Sequence, residues 1–187
     1  MNWVFPIAGY GTRTQSLGKY KPLIELYPDQ SILKFCLMGL NSVVEKGDSF
    51  IFVFSKEQEK NFNVSHKIKQ IIKDLDMKVK IIISIIEKTP NGQALTVKKG
   101  LENLKENILS QRTMVINSDQ VVLFDCKNIK KDSNSVGLYF NDRDSSCFYN
   151  LNVSNKKVIS MEEKNPISHY ASAGVFHFSS GYTLLKC

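Results

Sequence analysis

Arginine is scarce in this chain: of 25 basic residues only Arg13, Arg112 and Arg143 are arginines, and all the others are lysines. The lysines are scattered among Ile, Asn and acidic residues and form no stripe, which argues against a nucleic-acid binder. Against 18 acidic residues they leave a formal charge of +7. Such a field suits a polyanionic small molecule, a nucleoside triphosphate for example, but does not name one. Paired cysteines are lacking as well. Cys36, Cys126, Cys147 and Cys187 stand far apart, with no C-x-x-C pair and no His at zinc-ligand spacing. The spacing suggests neither a zinc knuckle nor a disulfide framework, and the cysteines are read as reduced, buried or partly buried thiols. No apolar run approaches 18 residues, and the first residues carry no charged region ahead of an apolar stretch. Neither a membrane span nor a secretory leader is expected, so the chain reads as cytoplasmic. Pro/Ser linkers, repeats and low-complexity tracts are also missing, so the 187 residues are expected to form one domain. What is present, 42% hydrophobic and 23% charged residues, is the composition of a folded globular protein.

Short runs rich in β-branched and aromatic residues predict strands at 3–7, 50–54, 79–86, 114–116, 136–140, 148–153, 158–161 and 173–178. Several are apolar on both faces, as the inner strands of a helix-covered sheet must be, and the run from Ile81 to Ile86 is read as such an inner strand. Between the first four lie helical patterns. Ser31 can cap a helix carrying Ile32, Phe35, Leu37, Leu40, Val43 and Val44. Ser65 can cap a second with Ile68, Ile71, Ile72 and Leu75, and a third is expected over 92–107, burying Leu95, Val97, Leu101 and Leu104. The order β-α-β-α-β-α-β calls for an α/β fold with a wound, mostly parallel sheet flanked by helices. After Asp125 strands follow in quick succession, with turns at 131–135, 141–144 and 154–155, so the second half is expected to add mixed strands. Ligands of such sheets bind beyond the carboxyl ends of the strands, which directs attention to the loops after Ile7, Ser84 and Ile116.

The first of these loops reads Pro6-Ile-Ala-Gly-Tyr-Gly-Thr-Arg13 and is followed by Lys21-Pro-Leu-Ile24. Gly9 and Gly11 let the backbone approach a bulky anion, while Thr12, Arg13 and Lys21 add a hydroxyl and two cations. A Walker A string is absent, and a dinucleotide fingerprint would need a third glycine where Thr14 stands. A polyphosphate cradle and a plain glycine-rich turn remain. At Thr89-Pro-Asn-Gly-Gln-Ala-Leu-Thr96, Asn91 or Gly92 starts the third helix, where free N–H groups and the Gln93 amide could meet the edge of a base. A simple helix start explains the same residues. In Val115-Ile-Asn-Ser-Asp-Gln120, Asp119 follows the carboxyl end of a parallel strand, placed to hold Mg²⁺ against a triphosphate. The competing explanation is an Asp capping its own turn. His66, His169 and His177 match no general-base arrangement, and His177, between Phe176 and Phe178, is read as structural.

The string Gly9-Tyr-Gly-Thr-Arg13 followed by Lys21-Pro-Leu resembles the opening of the nucleotidyltransferases that join a nucleoside triphosphate to a phosphorylated acceptor, the family of the sugar-nucleotide pyrophosphorylases. The short spacing and the wording Gly18-Lys-Tyr-Lys-Pro-Leu-Ile24 are similar to its compact capsule-locus branch. Val158-Ile-Ser-Met-Glu-Glu-Lys-Asn-Pro166 and Ala173-Gly-Val-Phe176 resemble the family's E-K-x-P and A-G-[IV]-[YF] elements. The resemblance spans residues 3 to about 180 and implies a Rossmann-like sheet of the glycosyltransferase-A type. It implies nucleotide binding by Ala8, Gly9, Gly11, Thr12, Gly92, Gln93 and Ser118. Catalysis would rest on Arg13, Lys21 and Asp119, with Asp119 as ligand of Mg²⁺, and the acceptor would meet Glu163, Lys164 and Gly174. CTP is the nucleotide the branch favours, with a phosphorylated small molecule such as L-glutamine phosphate as acceptor; a sugar 1-phosphate or phosphocholine stays open.

Two departures from the pattern are visible. The family's Pro-Lys pair is Tyr20-Lys21 here, which is expected to loosen the loop while keeping the cation. The second metal-binding Asp that the family supplies beyond the A-G-[IV]-[YF] strand has no counterpart, so either a C-terminal segment is expected to be lacking or metal binding differs. A glycosyltransferase would want an Asp-x-Asp pair where Asp119-Gln-Val stands, and a non-catalytic nucleotide-binding module is the other alternative.

Overall fold

Apolar residues with β-branched and aromatic side chains build β1 (Asn2–Pro6), which runs through the middle of the molecule with its first four residues buried. The computed structural model describes residues 1–9, 11, 19–124, 126, 129–141, 147–152 and 154–187. Of the expected turn at 141–144 and strand at 148–153, residues 142–144 and 153 lie outside these. After a short 3-10 turn at Lys21–Leu23 come β2 (Glu25–Tyr27), β3 (Gln30–Ser31), α1 (Ile32–Leu40), β4 (Ser49–Ser55), α2 (Lys56–Phe62) and α3 (Val64–Asp74). The chain continues with β5 (Lys80–Ile86), α4 (Gln93–Leu101), α5 (Glu106–Leu109) and β6 (Thr113–Ile116). The last part holds β7 (Ser135–Phe140), β8 (Cys147–Leu151), β9 (Val158–Glu163), β10 (Tyr170–Phe178) and α6 (Gly181–Lys186).

The main sheet has the order β5-β4-β1-β6-β10-β8-β9, with β7 also paired to β10. The first four strands are parallel, as the intervening helices require. From β10 onward every pairing is antiparallel. The carboxyl half of β10 lies beside β6, with Val175 opposite Ile116, and its amino end meets β8, with Ala171 opposite Phe148. The expected wound sheet with a mixed second half is therefore the architecture of the chain.

Alternation along the strands divides the interior into two layers. Trp3, Phe5, Phe50, Phe52, Phe54 and Met114 face α1 and α3, where Leu33, Leu37, Leu40, Ile68 and Ile72 close the core. Val4, Ile51, Val53 and Val115 face Val97, Leu101, Ile108 and Leu109 of α4 and α5. Among the described residues no helix is long and apolar enough to cross a membrane.

Four local expectations are corrected. Ile81–Ile86 is not an inner strand, because β5 is paired with β4 alone among the described residues; its isoleucines are apolar because Ile81 and Ile83 pack on one core and Ile82 on the other. Ser65 does not cap α3. Asn63, left-handed at φ 50° and ψ 50°, joins α2 to α3, and the Ser65 N–H bonds the Glu59 carboxylate at 2.9 Å. The cap that sequence reading overlooked is Ser55, whose side chain accepts the Gln58 N–H while Gln58 Oε1 accepts the Ser55 N–H. The helix expected over 92–107 is two, since Lys105 is extended at ψ 151° and restarts the chain so that Ile108 and Leu109 return to the core. Leu95, in the first turn of α4, is 47% exposed, with Thr96 and Val97 taking the inward positions.

Candidate functional site

The parallel strands β1 and β6 end side by side, and the loops after β1, β5 and β6 enclose a cleft of about 260 Å³ at their carboxyl edge. Gly9, Gly11, Lys21, Gly92, Gln93, Ser118 and Asp119, all expected from the sequence, line this one cleft, together with Pro22, Asn117 and others. Ala8 lies just below it, fully buried. Thr12 and Arg13 lie outside the described residues.

Each wall has a buried support. The Ala8 carbonyl accepts from Gln58 Nε2 at 2.7 Å and from Thr89 Oγ1 at 3.1 Å, which ties the start of the glycine loop to α2 and to the segment before α4. Lys21 follows Tyr20, and the structure corrects the expectation that Tyr20 loosens this stretch. Its ring is buried and stacks on Phe62 at 5.4 Å, and its hydroxyl donates to the Ile7 carbonyl. The tyrosine thus pins the lysine segment to the end of β1, a role that a rigid proline would fill by restricting φ. Tyr20→Phe is expected to cost about 1–3 kcal/mol, because a buried carbonyl loses its donor. Urea unfolding reads this directly, and an unchanged midpoint would show that the bond contributes nothing.

The opposite wall begins at α4. Gly92 caps the helix with φ 97°, a conformation that a side chain rarely adopts, and having no side chain it makes no cap bond to the first N–H groups. The Gln93 amide reaches across to donate to Asn117 Oδ1, joining α4 to the turn after β6. Asn117 in turn donates its backbone N–H to the Gly174 carbonyl at 2.9 Å, and the Gln120 side chain donates to the Ala173 carbonyl. Gly174 has φ 64°, and a Cβ there would sit 1.9 Å from Gln120 Nε2 and 2.5 Å from Asn117 Nδ2. Glycine suits both the positive φ and the close approach of β10 under the turn that carries Asp119.

Within the cleft the Lys21 ammonium lies 2.5 Å from Asp119 Oδ2, with the two side chains 34% and 44% exposed. Behind them Cys36 donates to the Asn117 carbonyl at 3.5 Å. Burial, reinforced by the Asp119 carboxylate, pushes the Cys36 thiol up to about 12, so it stays protonated and unreactive at neutral pH.

Glu163 and Lys164 are not among the cleft residues. They stand at the exposed end of β9, where Lys164 Nζ is 3.7 Å from Glu163 Oε1 and Glu163 lies opposite Cys147. Because β8 also pairs with the start of β10, they lie two strands, about 10 Å, from Ala171. His177 is buried and accepts from Arg112 Nε at 3.3 Å; burial and that guanidinium hold its imidazole below the usual range, hence neutral. Gln58 was not singled out from sequence, and Tyr20, Thr89 and Asn117 stand in the motifs without the supporting roles they take here. Their contacts join residues 13 to 81 positions apart, and no local pattern announces them.

Among the described residues no three His, Cys, Asp or Glu side chains gather closely enough to cage a metal. Asp119, the one carboxylate among the described lining residues of the cleft, fits instead the way Mg²⁺ is bound, by one or two carboxylates together with substrate phosphates and water.

No family model matches the chain, and no curated protein does. Solved structures do. A nucleoside-diphosphate-sugar pyrophosphorylase from Vibrio cholerae superposes with a TM-score of 0.76 at 22% identity, covering 98% of this chain and 75% of its own. An inositol-1-phosphate CTP transferase from T. maritima gives 0.69 at 15% identity, over 95% and 69%. A UDP-glucose pyrophosphorylase complexed with UDP-glucose gives 0.68 at 16% identity, over 95% and 75%. The chain shares the fold of these nucleotidyltransferases.

Proposed function

We propose that the chain is a nucleotidyltransferase domain that moves a nucleoside monophosphate, CMP from CTP, onto a phosphorylated small molecule, releasing pyrophosphate. L-Glutamine phosphate is the acceptor we favour, and the activated product would serve capsule polysaccharide synthesis in the cytoplasm. The observation that carries the reading is the meeting of Lys21 and Asp119 at 2.5 Å between a glycine loop and the start of α4. The fold neighbours add a protein named as a CTP transferase and two named as pyrophosphorylases.

In this reaction an oxygen of the acceptor phosphate forms a bond to the α-phosphorus, the bond from that phosphorus to the bridging oxygen breaks, and pyrophosphate leaves with the electron pair. The attacking phosphate is already ionised near neutral pH, so no general base is needed, in keeping with a cleft that has no histidine among its described lining residues. The protein aligns the groups and neutralises charge. Lys21 would face the α-phosphate and Arg13 the departing phosphates, while Lys164 and Glu163, outside the cleft lining, would meet only an acceptor that reaches beyond the cleft to their strand end. Gln93 and the first N–H groups of α4 meet the base. Asp119, with Ser118 beside it, would hold Mg²⁺, which when bound supplies Lewis-acid charge neutralisation on the phosphates.

The test is pyrophosphate release with Mg²⁺, each of the four nucleoside triphosphates, and L-glutamine phosphate, sugar 1-phosphates or phosphocholine in turn. Release is expected with CTP and L-glutamine phosphate. Release with another pair moves the specificity and keeps the reaction. Nucleotide binding without release for every acceptor overturns the reaction and leaves a glycosyltransferase or a regulatory module.

A further inference from the structure

The Lys21–Asp119 ion pair joins two groups that a metal–nucleotide complex would claim separately. The carboxylate is the one a divalent cation needs, and the ammonium is the one a phosphate needs. Both are held from behind. Lys21 sits between buried Tyr20 and buried Pro22, while Asp119 sits in a turn fastened through Asn117 and Gln120 to β10. The side chains are part-exposed, so their mutual attraction is small enough to be exchanged.

We infer that this ion pair is a placeholder that couples metal binding to polyphosphate binding. The inference rests on the proposed reaction for the identity of the two ligands. A divalent cation arriving alone must displace Lys21 from Asp119 and leave the ammonium unpaired beside it. A polyphosphate arriving alone must draw Lys21 away and leave the carboxylate facing an anion. Arriving together, each ligand satisfies the half that the other has released. The coupling is reciprocal by thermodynamic necessity, so each ligand raises the affinity for the other by the same factor. Free divalent cation is thereby bound severalfold more weakly ahead of the nucleotide than together with it.

Two measurements on the full chain test this, with Mn²⁺ and inorganic tripolyphosphate as probes. Mn²⁺ titration followed by electron paramagnetic resonance, without polyphosphate, is expected to show about three- to fivefold tighter binding to Lys21→Met than to the wild type. Tripolyphosphate titration by calorimetry in EDTA is expected to show a similar gain for Asp119→Asn. Lys19→Met and Glu25→Gln, exposed residues outside the cleft, control for the change in net charge. If Lys21→Met and Asp119→Asn bind no more tightly than these controls, the placeholder role is overturned. Should pyrophosphate release fail for every acceptor while the affinity gains are seen, the coupling stands and only the reaction falls. Release without the gains refutes the coupling and leaves the reaction standing.

Discussion

Asp119→Ala and Lys21→Ala are each expected to lower the rate of pyrophosphate release by about 10²–10³-fold, the usual cost of removing one preorganised charge from a transition state. The effect should fall on turnover more than on the Michaelis constant for the nucleotide. Charge on the α-phosphoryl group is redistributed most as its bonds exchange, whereas other contacts hold the base. Because the two groups touch, their losses are not independent, and the double variant should be only slightly worse than the poorer single one. Folding is expected to survive in both, since the pair is part-exposed and lies at the rim of the sheet. Steady-state rates alongside circular dichroism decide the matter. Variants that remain folded and turn over like the wild type would remove Asp119 and Lys21 from the chemistry.

The second large effect concerns stability. Phe52, in the middle of β4, is fully buried, stacks on Phe5 at 4.8 Å and meets Phe50 edge-on at 6.2 Å. Phe52→Ala removes one ring of this aromatic row and opens a cavity beneath the strands that present the glycine loop. The expected loss is about 3–5 kcal/mol, enough to lower the melting temperature by roughly 10 °C or more. Differential scanning calorimetry reads it, and a fall of only a degree or two would mean that the neighbouring helices collapse into the space. The same variant tests how far the cleft depends on the core, because β4 and β1 are paired in register from Asn2 to Pro6.

The residues of the cleft were legible in the sequence because each stands where a periodic pattern stops. Gly9 and Gly11 follow an apolar strand, Gly92 and Gln93 precede a helical repeat, and Asp119 follows a strand of four buried residues. Glu163 and Lys164 were equally visible as a motif, yet they stand at an exposed strand end outside the cleft lining. Tyr20 shows the opposite case. From sequence it reads as a departure that loosens a loop, and its tether to Ile7 and stack on Phe62 exist only because distant segments are packed together.

Local periodicity, a property of neighbouring side chains, was enough to find the eight strands of the main sheet, to divide a parallel first half from a mixed second, and to mark the strand ends where ligands gather, but it missed α2, α6 and the β2–β3 pair. It could not decide that β5 lies at an edge, because a strand with both faces covered is apolar whether one or two strands flank it. Nor could it place Lys21 against Asp119, 98 residues away, or set Gly174 beneath Asn117. Such contacts are fixed by strand register and by the buried anchors behind each loop, and these come into being only when the whole sheet has formed.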